Sequence, residues 1–186
     1  IDFFLSENAH YADVVPDAHA ALWGGMANAG QTCIGIERVY ATEKSYDGFL
    51  AALTEKAKGV TAGSSYGHIT MPSQIDIIRD HIADALAKGG TAVTGGQIDG
   101  TLVQPTILTG VPESSLAVQE ETFGPTITVT KVKNAAEAIT LSNATTYGLA
   151  GAVFGKKRGV EIARQLRSGM TSVNSVLAFA GVPGLP

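Results

Sequence analysis

The chain has 186 residues, 45% of them hydrophobic and 16% charged, with a formal net charge of −4. That is chain enough for one sizeable core, and it excludes a disordered segment. The basic residues form no stripe, which argues against a nucleic-acid partner, and no apolar run approaches the length of a membrane span.

In chain order, residues 13–29 predict a helix. Pro16 suits its first turn, Ala18, Ala20, Ala21, Leu22, Met26 and Ala27 are good formers or small packers, and Gly30 ends it. Residues 33–40 predict a strand rich in β-branched side chains. Ser45 caps a second helix to about Lys58, with Phe49, Leu50, Leu53 and Ala57 at helical spacing and Gly59 behind. Residues 63–70 are polar loop. A third helix spans 72–88, with Ile75, Ile78, Ile82, Ala85 and Leu86 on one face and Gly89 and Gly90 closing it. Residues 91–94 form a short strand, and 102–108 an extended run that Pro105 turns into an edge or a bend.

Residues 126–132 alternate Thr, Ile and Val as a strand. Asn134 opens a fourth helix, with Glu137 completing a capping box. A strand over 149–154, a helix over 156–167 ended by Gly169, and a strand over 170–173 follow. Helices alternating with strands predict an α/β fold with an open, largely parallel sheet flanked by helices. No repeat, linker or low-complexity segment interrupts it, so residues 1–186 read as one domain.

The lone cysteine, Cys33, excludes an intramolecular disulfide and fits a reducing, cytoplasmic compartment. It stands between a helix end and a strand, on a turn that Gly30 permits. Amides freed at such a turn can face an oxyanion. The plain alternative is a small buried hydrophobe, since unpaired cysteines are among the most buried residues. His10, His19, His68 and His81 show no metal spacing; three lie in helical or polar stretches and read as solvated, and none is assigned as a base.

Asn28-Ala29-Gly30-Gln31-Thr32-Cys33, followed by Glu37-Arg38-Val39-Tyr40, resembles the active-site signature of the aldehyde dehydrogenase superfamily. Glu120-Glu121-Thr122-Phe123-Gly124-Pro125 is similar to that family's Glu-Glu-x-Phe-Gly-Pro segment. Tyr147-Gly148-Leu149-Ala150 with Val153-Phe154, and Gly169 through Asn174, match in order and spacing. The resemblance implies the family's catalytic domain. It implies NAD- or NADP-dependent oxidation of an aldehyde to a carboxylic acid, through a thiohemiacetal and a thioester on Cys33. It assigns Glu121 to the ribose of the nicotinamide half and Phe123 to an apolar contact beside that ring. In support, Gln31 orients the cysteine loop, with a surface glutamine as the alternative, and Asn174 braces the backbone near the site. Without the resemblance, Glu120 and Glu121 read as solvated charges and Phe123 as core.

Other readings are a cysteine acyltransferase or thioesterase, and a non-catalytic α/β binding module. The Glu121–Phe123 segment argues against the first, because it serves a nicotinamide. The chain opens on Ile1 and stops in a loop at 181–186, so a piece of a longer protein is expected. Residues 1–15 fit the family poorly and read as an atypical opening. The family's Glu-Leu-Gly-Gly-Lys segment, which carries the general base, is not in the chain, nor is the upstream asparagine that stabilises the oxyanion. The isolated polypeptide is therefore expected to be nearly inactive. The resemblance implies a homo-oligomer for the full-length protein. Residues 175–180 are apolar and either line the mouth for an aldehyde or simply pack; the aldehyde itself is not readable.

Overall fold

The computed structural model describes residues 2–6 and 11–176. Its elements run β1 (Asp2–Ser6), α1 (Tyr11–Met26), a 3₁₀ turn (Ala27–Gly30), β2 (Ile36–Thr42), α2 (Glu43–Ala57), α3 (Pro72–Ala87) and β3 (Thr91–Thr94). There follow β4 (Ile98–Asp99), β5 (Leu102–Val103), β6 (Thr106–Thr109), α4 (Leu116–Gln119), β7 (Thr126–Val132), α5 (Ala135–Ser142), β8 (Ala150–Phe154), α6 (Gly159–Ala163) and β9 (Met170–Val173).

Seven strands form one sheet in the order β3-β6-β7-β2-β1-β8-β9. Every neighbouring pair is parallel except β3 with β6. The open, largely parallel α/β sheet expected from the alternating pattern is therefore the architecture observed. Strand periodicity sends alternate residues to opposite faces. Val39 and Ala41 of β2, Ile127 and Val129 of β7, and Ala152 and Phe154 of β8 join one core with Leu22, Phe49, Leu53, Ile75 and Ile78 from α1, α2 and α3. Tyr40, Val132 and Val153 join a second core with Ala138 of α5 and Ile162 of α6. Helices thus cover both faces, as a parallel sheet requires.

Several boundaries differ from the sequence expectation, for local reasons. The first helix starts at Tyr11, so Pro16 lies past its first turn, and its last residues tighten into the 3₁₀ turn. The second strand begins at Ile36 rather than Cys33, because Gly35 N–H donates to Thr32 O (2.8 Å) and closes a turn first. Thr42, not Ser45, holds the cap position of α2; Ser45 is buried and its hydroxyl donates back to Thr42 O (3.1 Å). Leu86 is exposed, unlike Ile75, Ile78, Ile82 and Ala85. The helix expected over 156–167 shrinks to Gly159–Ala163, with Arg158 at its N-cap making no side-chain cap bond. Pro105 marks the break between the small β4–β5 ribbon and β6. β1 was not anticipated at all, yet it pairs with both β2 and β8 inside the sheet.

Candidate active site

The N-terminal ends of β2, β7 and β8 lie at one edge of the sheet, because these strands run parallel. The cysteine segment leads into β2, residues 120–125 into β7, and Tyr147 and Gly148 into β8. Three stretches distant in sequence therefore share that edge. Asn174, expected to brace the backbone near the site, instead follows β9 at the opposite edge, where its Oδ1 accepts from Gly155 N–H (2.9 Å).

The cysteine turn is unusual in its backbone. Asn28, Ala29 and Gly30 all have positive φ (53°, 58° and 71°), a left-handed run that non-glycine residues rarely adopt. Local bonds hold it: Asn28 Nδ2 donates to Gln31 O (3.0 Å), and Gln31 Nε2 to Asn28 O (3.1 Å). Gln31 also reaches outward. Its Nε2 donates to His68 O (3.1 Å) and its Oε1 accepts from Thr70 N–H (2.8 Å), tying the turn to the loop before α3. The run delivers Cys33 to a corner of the Thr32–Gly35 turn, with its side chain exposed. The buried-hydrophobe alternative does not describe this thiol.

A β-carbon on Gly30 would overlap the carbonyl of Gly124. The backbone of the cysteine turn thus packs directly on the backbone of the 120–125 loop. Gly124 is itself confined, since a methyl there would meet Ile78 Cδ1 at 2.6 Å. On that loop Thr122 is buried and tied at every polar atom. Its N–H donates to Glu37 Oε2 (3.0 Å), its carbonyl accepts from Gln74 Nε2 (2.7 Å), and its hydroxyl meets His81 Nδ1 (3.0 Å). Phe123 has φ +49° and donates its N–H to Glu37 Oε1 (2.8 Å).

Glu121 and Phe123 line a groove of about 430 Å³ with Gln74, Ile77, His81, Glu120 and Tyr147. Tyr147 O–H donates to Glu120 Oε2 (3.0 Å), so the third matching stretch meets the second there. Glu121 is exposed and Phe123 half-buried. Burial holds the His81 imidazole below its ordinary value, against the nearby Glu120, Asp84 and Asp80 charges. Burial pushes the Glu37 carboxyl up, opposed by its two amide bonds and reinforced by the Glu121 charge.

Gln74 was not named from sequence, Glu37 and Tyr147 stood only inside matching stretches with no role, and His81, expected to be solvated, is buried against Thr122. Only Glu37 carried a signal, as an acidic residue alternating with the apolar Val39 and Ala41 on one strand face. Cys33 is not among the groove-lining residues; it reaches the groove's loop through Gly30 and Gly124. His19 and His68 are exposed, and His10 lies outside the described residues. Ser175 and Val176 line a surface hollow with His19, Ala20 and Trp23, while the rest of the apolar 175–180 stretch and the closing loop fall outside the described residues. Among the described residues no cluster of His, Cys, Asp and Glu could hold a metal ion. No helix among them is long and apolar enough to cross a membrane.

Most of the chain is similar to known proteins. The profile of the aldehyde dehydrogenase family matches residues 9–183. A glutarate-semialdehyde dehydrogenase of Pseudomonas aeruginosa is 35% identical over 177 residues, covering 89% of this chain and 37% of the relative. A succinate-semialdehyde dehydrogenase (NADP+) of Deinococcus radiodurans is 35% identical, covering 91% of this chain and 39% of the relative. The NADP-dependent glyceraldehyde-3-phosphate dehydrogenase of Bacillus halodurans, solved with NADP, superposes with a TM-score of 0.87 at 30% identity, over 94% of this chain and 37% of that one. The chain spans about a third of the length of the curated relatives it matches. On the profile match and these identities, the chain belongs to the aldehyde dehydrogenase family.

Proposed function

We propose that this chain supplies the thiol and the nicotinamide-ribose contacts of an NAD(P)-dependent aldehyde dehydrogenase, and that 1–186 is its catalytic domain. One observation carries the reading. Gly30 packs backbone to backbone on Gly124, so an exposed thiol and a groove with a carboxylate and an aromatic face stand on abutting loops.

In this reading the Cys33 thiolate attacks the aldehyde carbon. The S–C bond forms, the carbonyl π pair moves to oxygen, and a thiohemiacetal results. The Thr32–Gly35 bond does not use the amides of Cys33 and Ile34, which suits them to face that oxygen. The nicotinamide, when bound, supplies the hydride acceptor. Water then adds to the resulting thioester on Cys33, releases the carboxylic acid and frees the thiol. A thiol suits both halves of this cycle, being strongly nucleophilic while its acyl adduct stays hydrolysable.

Glu121 would accept from the ribose hydroxyls and Phe123 would hold the ring's apolar side, and together they would fix the ring's distance from the sulfur. The groove fits that half of a dinucleotide, with an exposed carboxylate beside an aromatic face. NAD and NADP are alike in this half, so either fits. Gln31 orients the cysteine turn. The semialdehyde dehydrogenases named above make a semialdehyde one candidate substrate. A cytoplasmic setting and a homo-oligomeric full-length protein belong to the same proposal. The 186 residues hold neither the family's Glu-Leu-Gly-Gly-Lys segment nor its oxyanion asparagine, so by themselves they turn over almost no aldehyde.

The test is iodoacetamide alkylation of Cys33, with and without NAD. The expected result is a rate above that of a free model thiol, altered by NAD in the parent chain but not in Glu121→Gln. A thiol that reacts only after unfolding would sink the proposal in favour of the binding module. A fast thiol indifferent to NAD would favour an acyltransferase or thioesterase. Ready reduction of NAD by the chain and an aldehyde would overturn the expected inactivity.

A further inference from the structure

We infer that Glu37 is a positioning residue that clamps Thr122 and Phe123 to the strand continuing the cysteine turn, and so sets the spacing between Cys33 and the groove. Its link to cofactor handling rests on the proposed function above; the clamp itself does not.

Glu37 is 7% exposed and projects from β2 on the face shared with Val39 and Ala41, where an unpartnered carboxylate is strongly disfavoured. Its partners are two successive amides, those of Thr122 and Phe123, one to each oxygen. Two consecutive N–H groups converge on one anion only where the backbone between them curls. Phe123, at φ +49°, supplies that curl, in a conformation a phenylalanine holds only when its surroundings impose it. The carboxylate is the group that rewards it.

The other two ties on Thr122 come from α3, through Gln74 and His81. They fix the loop to a helix. Of the three, Glu37 alone belongs to the chain stretch that begins at the thiol, through the Thr32–Gly35 turn and the start of β2. Loss of the α3 ties would loosen the loop from its floor. Loss of Glu37 would uncouple it from the sulfur. Glu37 need not touch substrate or cofactor to do this.

The test uses the 186-residue chain with a nitroxide on Cys33, its lone thiol. Relaxation of the Thr122 and Phe123 amides by the nitroxide reads their distance from the sulfur. Hydrogen exchange on unlabelled chain reads their protection, with Val129 in β7 as the control. In Glu37→Gln, exchange at Thr122 and Phe123 should quicken about tenfold, as loss of a charged hydrogen bond implies, with Val129 little changed. The nitroxide effect on the two amides should fall, and protection of Cys33 from alkylation by nicotinamide mononucleotide should weaken. If the variant does not fold, Glu37→Asp keeps the charge, shortens the reach and should give the same pattern. Unchanged exchange at Thr122 and Phe123, or equal quickening throughout β7, would overturn the clamp. Absence of mononucleotide protection in the parent chain would instead count against the cofactor reading, while exchange and nitroxide data still judge the clamp.

Discussion

The cysteine turn and the loop beneath it are built in opposite ways. The turn is made mainly by its own residues, through bonds among Asn28, Gln31, Thr32 and Gly35. The 120–125 loop is made by the fold. Its ties come from Glu37, Gln74 and His81, all remote in the chain. A locally made turn presents its thiol even when the surroundings shift. A loop made from afar holds its conformation only when β2 and α3 are both in place. The site is therefore as exact as the weaker of the two, and Gly30 is where they meet.

Gly30→Ala strikes that meeting point and should have the largest effect. Alanine at φ +71° pays about 1–2 kcal/mol for the left-handed backbone. Overlap with the Gly124 carbonyl adds about 1–3 kcal/mol, because backbone on backbone has no flexible side chain to yield. Urea unfolding should show a loss of about 2–5 kcal/mol. Gly67→Ala is the control, with nothing within 4 Å of the added carbon and an expected change within about 0.5 kcal/mol. Similar values for the two variants would break the claim that the loops abut through glycine.

A smaller effect sharpens the contrast through pH. His81 is buried, and its folded-state value lies below the ordinary 6.5. A histidine depressed in this way contributes stability that is complete above its unfolded value. That contribution is lost as the pH falls through 6.5 toward the folded value. Glu37, raised by burial, runs the other way and gains stability as the pH falls. Only the difference between parent and variant isolates the imidazole. His81→Asn, which keeps a polar atom near Thr122 Oγ1, should lose less stability than the parent between about pH 7 and 5. Parallel curves would mean that His81 titrates as it does in the unfolded chain.

The same division decides what could be read from sequence. Thr126–Val132 was legible as a β-branched run, and the α3 core face as a 3.6-residue stripe, Leu86 excepted. The cysteine turn was legible because Gly30, Gln31 and Cys33 lie together and make their own geometry. The role of Glu37 was not, since its partners lie 85 and 86 residues away and its alternation with Val39 and Ala41 marks an inward acid without naming what it holds. β1 was missed for a similar reason. Five residues too short to carry a period become a strand because β2 and β8 pair with them on both sides.

The smallest expected effect lies where local construction is complete and the site is absent. Asn134 Oδ1 accepts from Glu137 N–H (3.1 Å), and Glu137 Oε2 accepts from Lys133 N–H (2.6 Å). Between them they close the first turn of α5, whose Ala135 and Ala138 pack with Tyr40 and Val132 on the face away from α3. Asn134→Ala removes one acceptor and should cost about 1 kcal/mol, the usual value of an N-cap. The alkylation rate of Cys33 should stay the same, because no tie of the cysteine turn or the 120–125 loop passes through α5. A change in that rate alongside the lost stability would show that the two faces of the sheet are mechanically coupled, and the cysteine turn would then be less self-sufficient than its hydrogen bonds imply.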